Sequence, residues 1–251
     1  QGENNYSAMA SDRDAFDYQQ RWLTKLWQTM QAEILRITGQ QFLPYLFTYQ
    51  VAAHRRYAQD HIQIALAQWR ASKAYDDVVL TAPCYIFRTN ADNLHLTAES
   101  SWLMGEYTSR AMHQTMIQRG GKWRPLEPVA VDWQSTQIKV TFHVPAGQLV
   151  IDNALAATYE NAGFILRNGA DAVIAGGITA VAVTARDEIT ITTAPGIPFD
   201  AKLTYARGKP GDAAHSGPIS GGRGNVRDTA GLYDKATSPL GNEFALHNAC
   251  V

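Results

Sequence analysis

The stretch DNLHLTAESSWLMGEYTSRAM, residues Asp92–Met112, passes from a polar loop into a segment with the apolar spacing of a helix. Thr97 is a good N-cap residue and Glu99 suits the first turn, so we expect the helix to run from Thr97 to about Gln118. Its apolar residues return at helical intervals and form one face. That face consists of Leu103, Met104, Tyr107 and Ala111. The stretch therefore predicts a loop followed by a helix that lies on a core.

Upstream, a helical pattern is followed by a strand pattern. Between Asp12 and about Ile37 the apolar residues recur at intervals of seven, four, three and four, which predicts a helix. Those residues are Phe16, Leu23, Trp27, Met30 and Ile34. The apolar run Phe42–Tyr49 predicts a strand buried on both faces, and Pro44 confines its hydrogen-bonded ladder to the residues after it.

A second helix and a second strand complete this half of the chain. Helical spacing is shown by Ile62, Ala65, Leu66 and Trp69. The run DVVLTA, Asp77–Ala82, predicts a short buried strand. The order helix, strand, helix, strand, helix is typical of an α/β fold, a parallel sheet with crossover helices. Two strands make a poor sheet, so we expect further strands in sequence that precedes Gln1.

After Gly120 the apolar period changes from about 3.6 to 2. The segment QIKVTFHV, residues 137–144, alternates apolar and polar side chains, as an antiparallel strand with one wet face does. Similar short runs lie at residues 129–133, 178–184, 188–193 and 201–206. They predict a small antiparallel β-sandwich, and the Gly- and Pro-rich segment Arg207–Asn225 predicts a long loop. We therefore divide the chain at residues 1–120 and 121–251.

The charge balance excludes some partners. Lys and Arg number 22, Asp and Glu number 23, and the formal net charge is −1. This balance gives no field that would hold nucleic acid or an anionic membrane, and no apolar run is long enough to cross a bilayer. Cys84 and Cys250 lie far apart and belong to no set of thiols and histidines with the spacing of a zinc site, so we expect neither a disulfide framework nor a metal site. Cys84 is expected to be a buried apolar residue.

The loop before the last helix carries a carboxylate and an imidazole three residues apart, Asp92 and His95. At that spacing the carboxylate can accept the Nδ1 proton, fix the tautomer and leave Nε2 as a general base for a hydroxyl. The alternative is that both are ordinary loop residues in front of a capped helix, because so short a motif often occurs without function.

Two motifs together favour the functional interpretation. The element Asp-x-x-His-Leu-Thr at residues 92–97 resembles the final block of the SGNH (GDSL-type) hydrolases, and QGENN at residues 1–5 resembles a third block of that superfamily. The resemblance is to its sialate O-acetylesterase and acetylxylan-esterase branches. It implies the C-terminal part of a flavodoxin-like α/β/α domain followed by a β-sandwich, and it implies no metal or organic cofactor.

The resemblance also assigns site roles. His95 matches the general base, and Asp92 matches the acid that orients it. Gln1, Gly2 and Glu3 match the element that lines the oxyanion side of the site, and Asn4 falls where the superfamily places an oxyanion-donating Asn. Whether Gln1 or Asn4 takes that role stays open. Glu3 has two interpretations, a second acid that orients His95 and a buried structural hydrogen-bonding group.

No Gly-Asp-Ser element occurs in the 251 residues, so the chain lacks the nucleophile of this family. We expect the Ser to lie in upstream polypeptide, and we interpret the start at Gln1 as that of a fragment or a processed product.

The implied function is removal of acetyl groups from a carbohydrate by a Ser-His-Asp triad. The last residues resemble phage-borne members of the group, which implies a tailspike deacetylase acting on bacterial surface polysaccharide, located in the virion tail as a homotrimer. The alternatives are a secreted or periplasmic esterase for sialic acid or xylan acetyl groups, and a non-catalytic carbohydrate-binding or structural tail module with an SGNH-like shell.

Overall fold

The computed structural model describes residues 2–8, 12–118, 120–215 and 217–251. Over these residues the chain is a mixed α/β structure. Its helices are α1 (Asn5–Ala8), α2 (Asp12–Thr38), α3 (Gln63–Ala74) and α4 (Ala98–Met112), and a π-helical segment at His113–Ile117 continues α4. Its strands are β1 (Leu46–Gln50), β2 (Val78–Pro83), β3 (Glu127–Trp133), β4 (Gln137–His143), β5 (Val150–Ile151), β6 (Phe164–Arg167), β7 (Ile178–Ala185), β8 (Glu188–Thr193), β9 (Lys202–Tyr205), β10 (Val226–Arg227), β11 (Lys235–Thr237) and β12 (Glu243–Ala245).

Helix α2 confirms the prediction for residues 12 to about 37. It ends at Thr38 because Gly39 takes a left-handed φ of 68° and its N–H bonds to the carbonyl of Leu35, which is the usual glycine stop. Leu23 and Trp27, on the inner face of α2, are buried. The Trp27 indole N–H donates to the Asp77 carboxylate over 2.9 Å and so ties α2 to the start of β2.

The prediction that the ladder begins after Pro44 is confirmed, whereas the predicted burial of Phe42 and Leu43 is wrong. Phe42 and Leu43 are exposed, and β1 starts at Leu46, after Pro44, which has no N–H to give to a ladder. The residues of β1 are half-buried, whereas all six residues of β2 are buried as predicted. The two strands pair in parallel, with Leu46 opposite Val78.

Parallel pairing brings the loops after β1 and β2 to one edge of this sheet. These loops comprise residues 51–62 and 84–97, and α3 and α4 follow them. The Thr97 side chain accepts a hydrogen bond from the N–H of Ser100, which confirms Thr97 as the N-cap of α4. Tyr107 and Ala111 are buried on the inner face of α4 as predicted. The polar loop with Asp92 and His95 therefore lies at the carboxyl edge of the parallel strands.

The second half is all β, as predicted. Strands β3, β4, β8 and β7 form an antiparallel sheet in that order, and β4 alternates half-buried and buried residues along its length. The buried side chains of β4 and β8 share one core with the paired strands β6 and β9, which supply Phe164, Leu166 and Leu203. This arrangement is compatible with a β-sandwich. The five strands β5, β6, β10, β11 and β12 were not predicted.

The segment Arg207–Asn225 contains no helix or strand among its described residues, in agreement with the predicted loop. It is packed rather than free: the Arg207 carbonyl accepts from His54 Nε2 over 2.7 Å, and the N–H of Ala157 donates to the carbonyl of Pro218.

Side chains from both sides of residue 120 also share a core, which includes Ala82, Tyr85, Ala156 and Leu246. The division at residue 120 stays a prediction. Cys84 and Cys250 are buried free thiols. In the described ranges, no helix is long and apolar enough to span a membrane.

Candidate active site

Asp92 and His95 are in direct contact. Asp92 Oδ2 lies 2.5 Å from His95 Nδ1, the nitrogen that the sequence pattern assigns to this bond. The second carboxylate oxygen, Oδ1, accepts the backbone N–H of Leu94 over 3.0 Å and that of His95 over 3.1 Å. Three hydrogen bonds therefore fix the carboxylate, and one of them fixes the imidazole ring.

Hydrogen bonds also fix the backbone of this loop. Asn93 has a left-handed φ of 58°, a conformation that asparagine tolerates better than most residues, and its N–H bonds to the carbonyl of Asn90. Asn90 in turn donates its backbone N–H to the His95 carbonyl over 2.7 Å. A closed turn therefore presents the His95 ring outward, and three quarters of this side chain is exposed.

The electrostatics of the pair suit a base that is oriented by an acid. The hydrogen bond from His95, with those from the backbone, lowers the pKa of Asp92 to about 2. Asp92 is thus a carboxylate at neutral pH and favours the tautomer with the proton on Nδ1. Nε2 of His95 bonds to none of the described residues, so it is the ring nitrogen left to act on a substrate or a hydroxyl.

The second predicted element begins at Gly2, and Gln1 lies outside the described residues. Gly2 is buried and has a φ of 115°, which only glycine adopts without strain. Its carbonyl accepts the N–H of Asn5 over 3.1 Å, so the chain turns directly into α1. Glycine at this position therefore lets Glu3 and Asn4 turn toward the sheet edge.

Glu3 turns inward. Its Oε2 accepts the backbone N–H of Ala53 over 3.0 Å, directly beyond β1, and its carboxylate also bonds to Cys84, directly beyond β2. Burial raises the pKa of Glu3, and the hydrogen bond from Ala53 offsets only part of that effect. In this position Glu3 joins the ends of both parallel strands and does not contact His95.

Asn4 turns outward and is exposed. Its Oδ1 accepts the Tyr57 hydroxyl over 3.1 Å. The Ser7 hydroxyl donates its proton to the Asn4 backbone carbonyl over 2.7 Å and lies 3.3 Å from Oδ1. Because the bond from Tyr57 occupies the amide oxygen, the Nδ2 group remains as a donor. This is the polarity that stabilisation of an oxyanion requires.

A short segment after β1 connects the two elements. It is the 3₁₀ helix Arg55–Tyr57. Tyr57 bonds to Asn4, and the neighbouring Arg56 donates from Nε to the backbone carbonyl of Asp92 over 2.8 Å. Leu94 packs on the apolar cluster that also includes Tyr6 and Tyr57. The Gly2–Asn4 and Asp92–His95 segments therefore lie on the same edge of the parallel pair.

Sequence reasoning missed Arg56 and Tyr57, because neither belongs to the two motifs at residues 1–5 and 92–97. The available signal was its position: these residues directly follow a predicted parallel strand, and loops after such strands gather at one edge.

Two cavities lie near this region. One, of about 490 Å³, is bounded by residues of α3 and of the β half and includes neither Asp92 nor His95 in its lining. The other, of about 590 Å³, includes Arg88 and Thr97, which are joined by a backbone hydrogen bond of 3.1 Å. Thr97 is two residues from His95, so this second cavity adjoins the Asp92–His95 loop.

No protein-family model matches the chain, and a search of curated protein sequences finds no match. Among solved structures, the chain is similar to a carbohydrate acetylesterase from Xanthomonas citri, with a TM-score of 0.45 and 14% sequence identity. The similarity covers 76% of this chain and 42% of that enzyme. The chain thus spans less than half the length of the structure it matches.

Proposed function

We propose that this chain supplies the base and the orienting acid of a carbohydrate O-acetylesterase. The observation that carries the proposal is the Asp92–His95 pair, with a 2.5 Å contact at Nδ1 and an exposed ring, in a motif that resembles the SGNH hydrolases. The Gly2–Asn4 segment at the same edge supports it, because it presents the Asn4 amide with its oxygen already bonded.

In the proposed reaction, His95 Nε2 takes the proton from a serine hydroxyl as the serine oxygen attacks the acetyl carbonyl carbon. Asn4 Nδ2, with Gln1 as the alternative donor, stabilises the oxyanion of the tetrahedral intermediate. The bond to the sugar oxygen then breaks, and the His95 imidazolium gives its proton to that oxygen. Water, deprotonated by His95 in the same way, attacks the acetyl-serine, and the bond to the serine oxygen breaks as the His95 imidazolium returns its proton to that oxygen and acetate leaves.

The serine is proposed to come from polypeptide upstream of Gln1, since the 251 residues contain no Gly-Asp-Ser element. The polysaccharide substrate, the virion-tail location and the homotrimer are proposals that rest on the resemblance of the C-terminal residues to phage-borne deacetylases. Light scattering tests the trimer.

The proposal is tested on the 251-residue chain and on a longer polypeptide that includes the residues encoded before Gln1. We expect hydrolysis of 4-nitrophenyl acetate only by the longer polypeptide, because the oxyanion donors alone do not replace a nucleophile. A fluorophosphonate probe should label one serine there, and mass spectrometry should place it before Gln1. Robust turnover by the 251 residues alone contradicts the assignment of the nucleophile, and a longer polypeptide without turnover favours the non-catalytic carbohydrate-binding module.

A further inference from the structure

The cavity of about 590 Å³ beside the Asp92–His95 loop is lined by both apolar and polar side chains. The apolar ones include Ile86, Leu103, Leu155, Ile219 and Phe244. The polar ones include Arg88, Glu99, Asn153, Asn242 and Glu243. A pyranose ring has the complementary pattern, because its C–H face is apolar and its rim carries hydroxyl groups.

Among the polar side chains of the lining, Glu99 is fixed before any ligand arrives. Its Oε1 accepts the Ser238 hydroxyl over 2.6 Å and the Asn242 amide over 2.7 Å. These two hydrogen bonds lower the pKa of Glu99, so it is a carboxylate at neutral pH. Its Oε2 accepts no hydrogen bond from the described residues. A fixed carboxylate with an unused oxygen is a strong acceptor for a sugar hydroxyl.

The charges of the lining favour an uncharged ligand. Glu99 and Glu243 oppose Arg88, and Glu243 is paired with Lys235 over 2.8 Å. The lining thus carries no excess positive charge to hold a ligand carboxylate, whereas a neutral sugar needs none.

The position of the cavity connects it to the reaction. Thr97, in its lining, is two residues from His95, and an extended chain covers about 7 Å over two residues. A saccharide held here therefore has neighbouring units within reach of the His95 ring.

We propose that this cavity binds neutral sugar units of the O-acetylated glycan, with Glu99 as the acceptor for their hydroxyl groups and Phe244 as an apolar contact. This inference deepens the proposed esterase function. Only the statement that the glycan is O-acetylated rests on that function. Binding itself needs no nucleophile, so it is measured on the 251-residue chain.

The test titrates the ¹⁵N-labelled chain with xylohexaose, mannohexaose, cellohexaose and hexagalacturonate and follows the backbone amides by NMR. We expect at least one neutral hexasaccharide to shift amides of residues 97–103 and 242–245 with a Kd of about 1 mM or lower, and hexagalacturonate to bind at least about tenfold more weakly. The proposal is overturned if no neutral hexasaccharide shifts these amides at about 10 mM, if the shifts lie only elsewhere, or if hexagalacturonate binds as tightly.

Two variants assign the effect to the cavity. Glu99→Gln keeps Oε1 as the acceptor for Ser238 and Asn242 but replaces the unused oxygen with an NH₂ group, and we expect binding about tenfold weaker. Asn153→Ala removes an exposed amide of the lining and should weaken binding about threefold even if Glu99→Gln does not fold. Glu33→Gln is the matched control, since Glu33 is exposed on α2, which contributes nothing to the lining. Equal binding by Asn153→Ala, Glu99→Gln and wild type contradicts the proposal.

This site and the esterase function fail separately. Oligosaccharide binding by the chain, without hydrolysis by the longer polypeptide, removes the esterase and leaves the sugar site. Hydrolysis of 4-nitrophenyl acetate without oligosaccharide binding removes the sugar site and leaves the esterase.

Discussion

Two carboxylates, Asp92 and Glu3, belong to the same edge of the parallel strands and have opposite environments. Asp92 is exposed and bonded to an imidazole and two backbone N–H groups, and its pKa falls to about 2. Glu3 is turned inward onto Ala53 and Cys84, and burial raises its pKa. The two carboxylates thus differ in their exposure to solvent and in their hydrogen-bonding partners. The exposed one is suited to orient a base, and the inward one joins two strands.

The geometry therefore assigns the two acids different roles. Asp92 touches the His95 ring, and Glu3 touches the ends of β1 and β2. Substitutions at Asp92 and His95 should therefore lower kcat without changing the Tm. A substitution at Glu3 should change the Tm and leave kcat nearly unchanged.

The largest expected effect is that of His95→Ala on the longer polypeptide. Loss of the base should lower kcat by on the order of 10⁶-fold. The Tm should stay within about 2 °C of wild type, because the side chain is three quarters exposed. Steady-state kinetics and thermal denaturation check the two halves of this prediction. A wild-type rate in the variant would remove the enzyme proposal altogether.

Asp92→Asn should lower kcat by up to about 10⁴-fold, because the amide no longer favours the tautomer with the proton on Nδ1. The matched variant is Glu3→Gln, for which we expect a change in kcat below about threefold. If Glu3→Gln lowered kcat as much as Asp92→Asn, Glu3 would share the orienting role and the contrast between the two acids would fail.

The pH dependence of the same pair follows from the direction of the shift. Asp92 stays ionised until the pH falls toward about 2, so its carboxylate does not titrate in the range of an esterase assay. We therefore expect any loss of esterase activity of the wild type at acid pH to come from titration of a group other than Asp92.

The parts of this molecule that the sequence predicted depend on local spacing. The helices α2 and α4 and the alternation in β4 are readable because their periods repeat within one segment, and Asp92 and His95 are only three residues apart. The predicted burial of Phe42 and Leu43 was wrong, because an apolar run does not show which of its residues find a packing partner.

What the sequence could not predict depends on distant partners. Strands β5 and β10 are two residues each and exist through their mutual pairing, 75 or more residues apart in the chain. The contact of Tyr57 with Asn4 spans 53 residues, and that of Arg56 with Asp92 spans 36. Such contacts leave no periodic pattern, so the structure was needed to find them.

Glu3→Gln tests the buried acid through pH. A folded-state pKa raised above the ordinary value of 4.5 means that the folded chain binds more protons than the unfolded chain, so this contribution to stability falls as the pH rises through that window. The variant keeps an acceptor for Ala53 and removes the titration. At pH 7 we expect it to have a higher Tm than wild type, with the difference closing below pH 4.5. Glu33→Gln, on the exposed face of α2, should show no such difference. If the Tm of wild type and that of Glu3→Gln changed in parallel from pH 4 to 8, the ionisation of buried Glu3 would not lower the stability of the folded chain.

The smallest expected effect concerns the link between the two segments, through Tyr57. Its hydroxyl bonds to Asn4 Oδ1 and so turns the amide with Nδ2 outward. Tyr57→Phe removes one neutral hydrogen bond, and the Ser7 hydroxyl, 3.3 Å from the same oxygen, can turn to replace it in part, so we expect kcat of the longer polypeptide to fall about threefold at unchanged KM. Tyr45→Phe is the matched control, because Tyr45 lies before β1 and packs on Phe47, away from Asn4. The double variant Ser7→Ala, Tyr57→Phe also removes the Ser7 hydroxyl beside the amide oxygen and should be slower than Tyr57→Phe alone. A double variant no slower than Tyr57→Phe alone would mean that the orientation of Asn4 does not reach the transition state, and the oxyanion role would pass to Gln1.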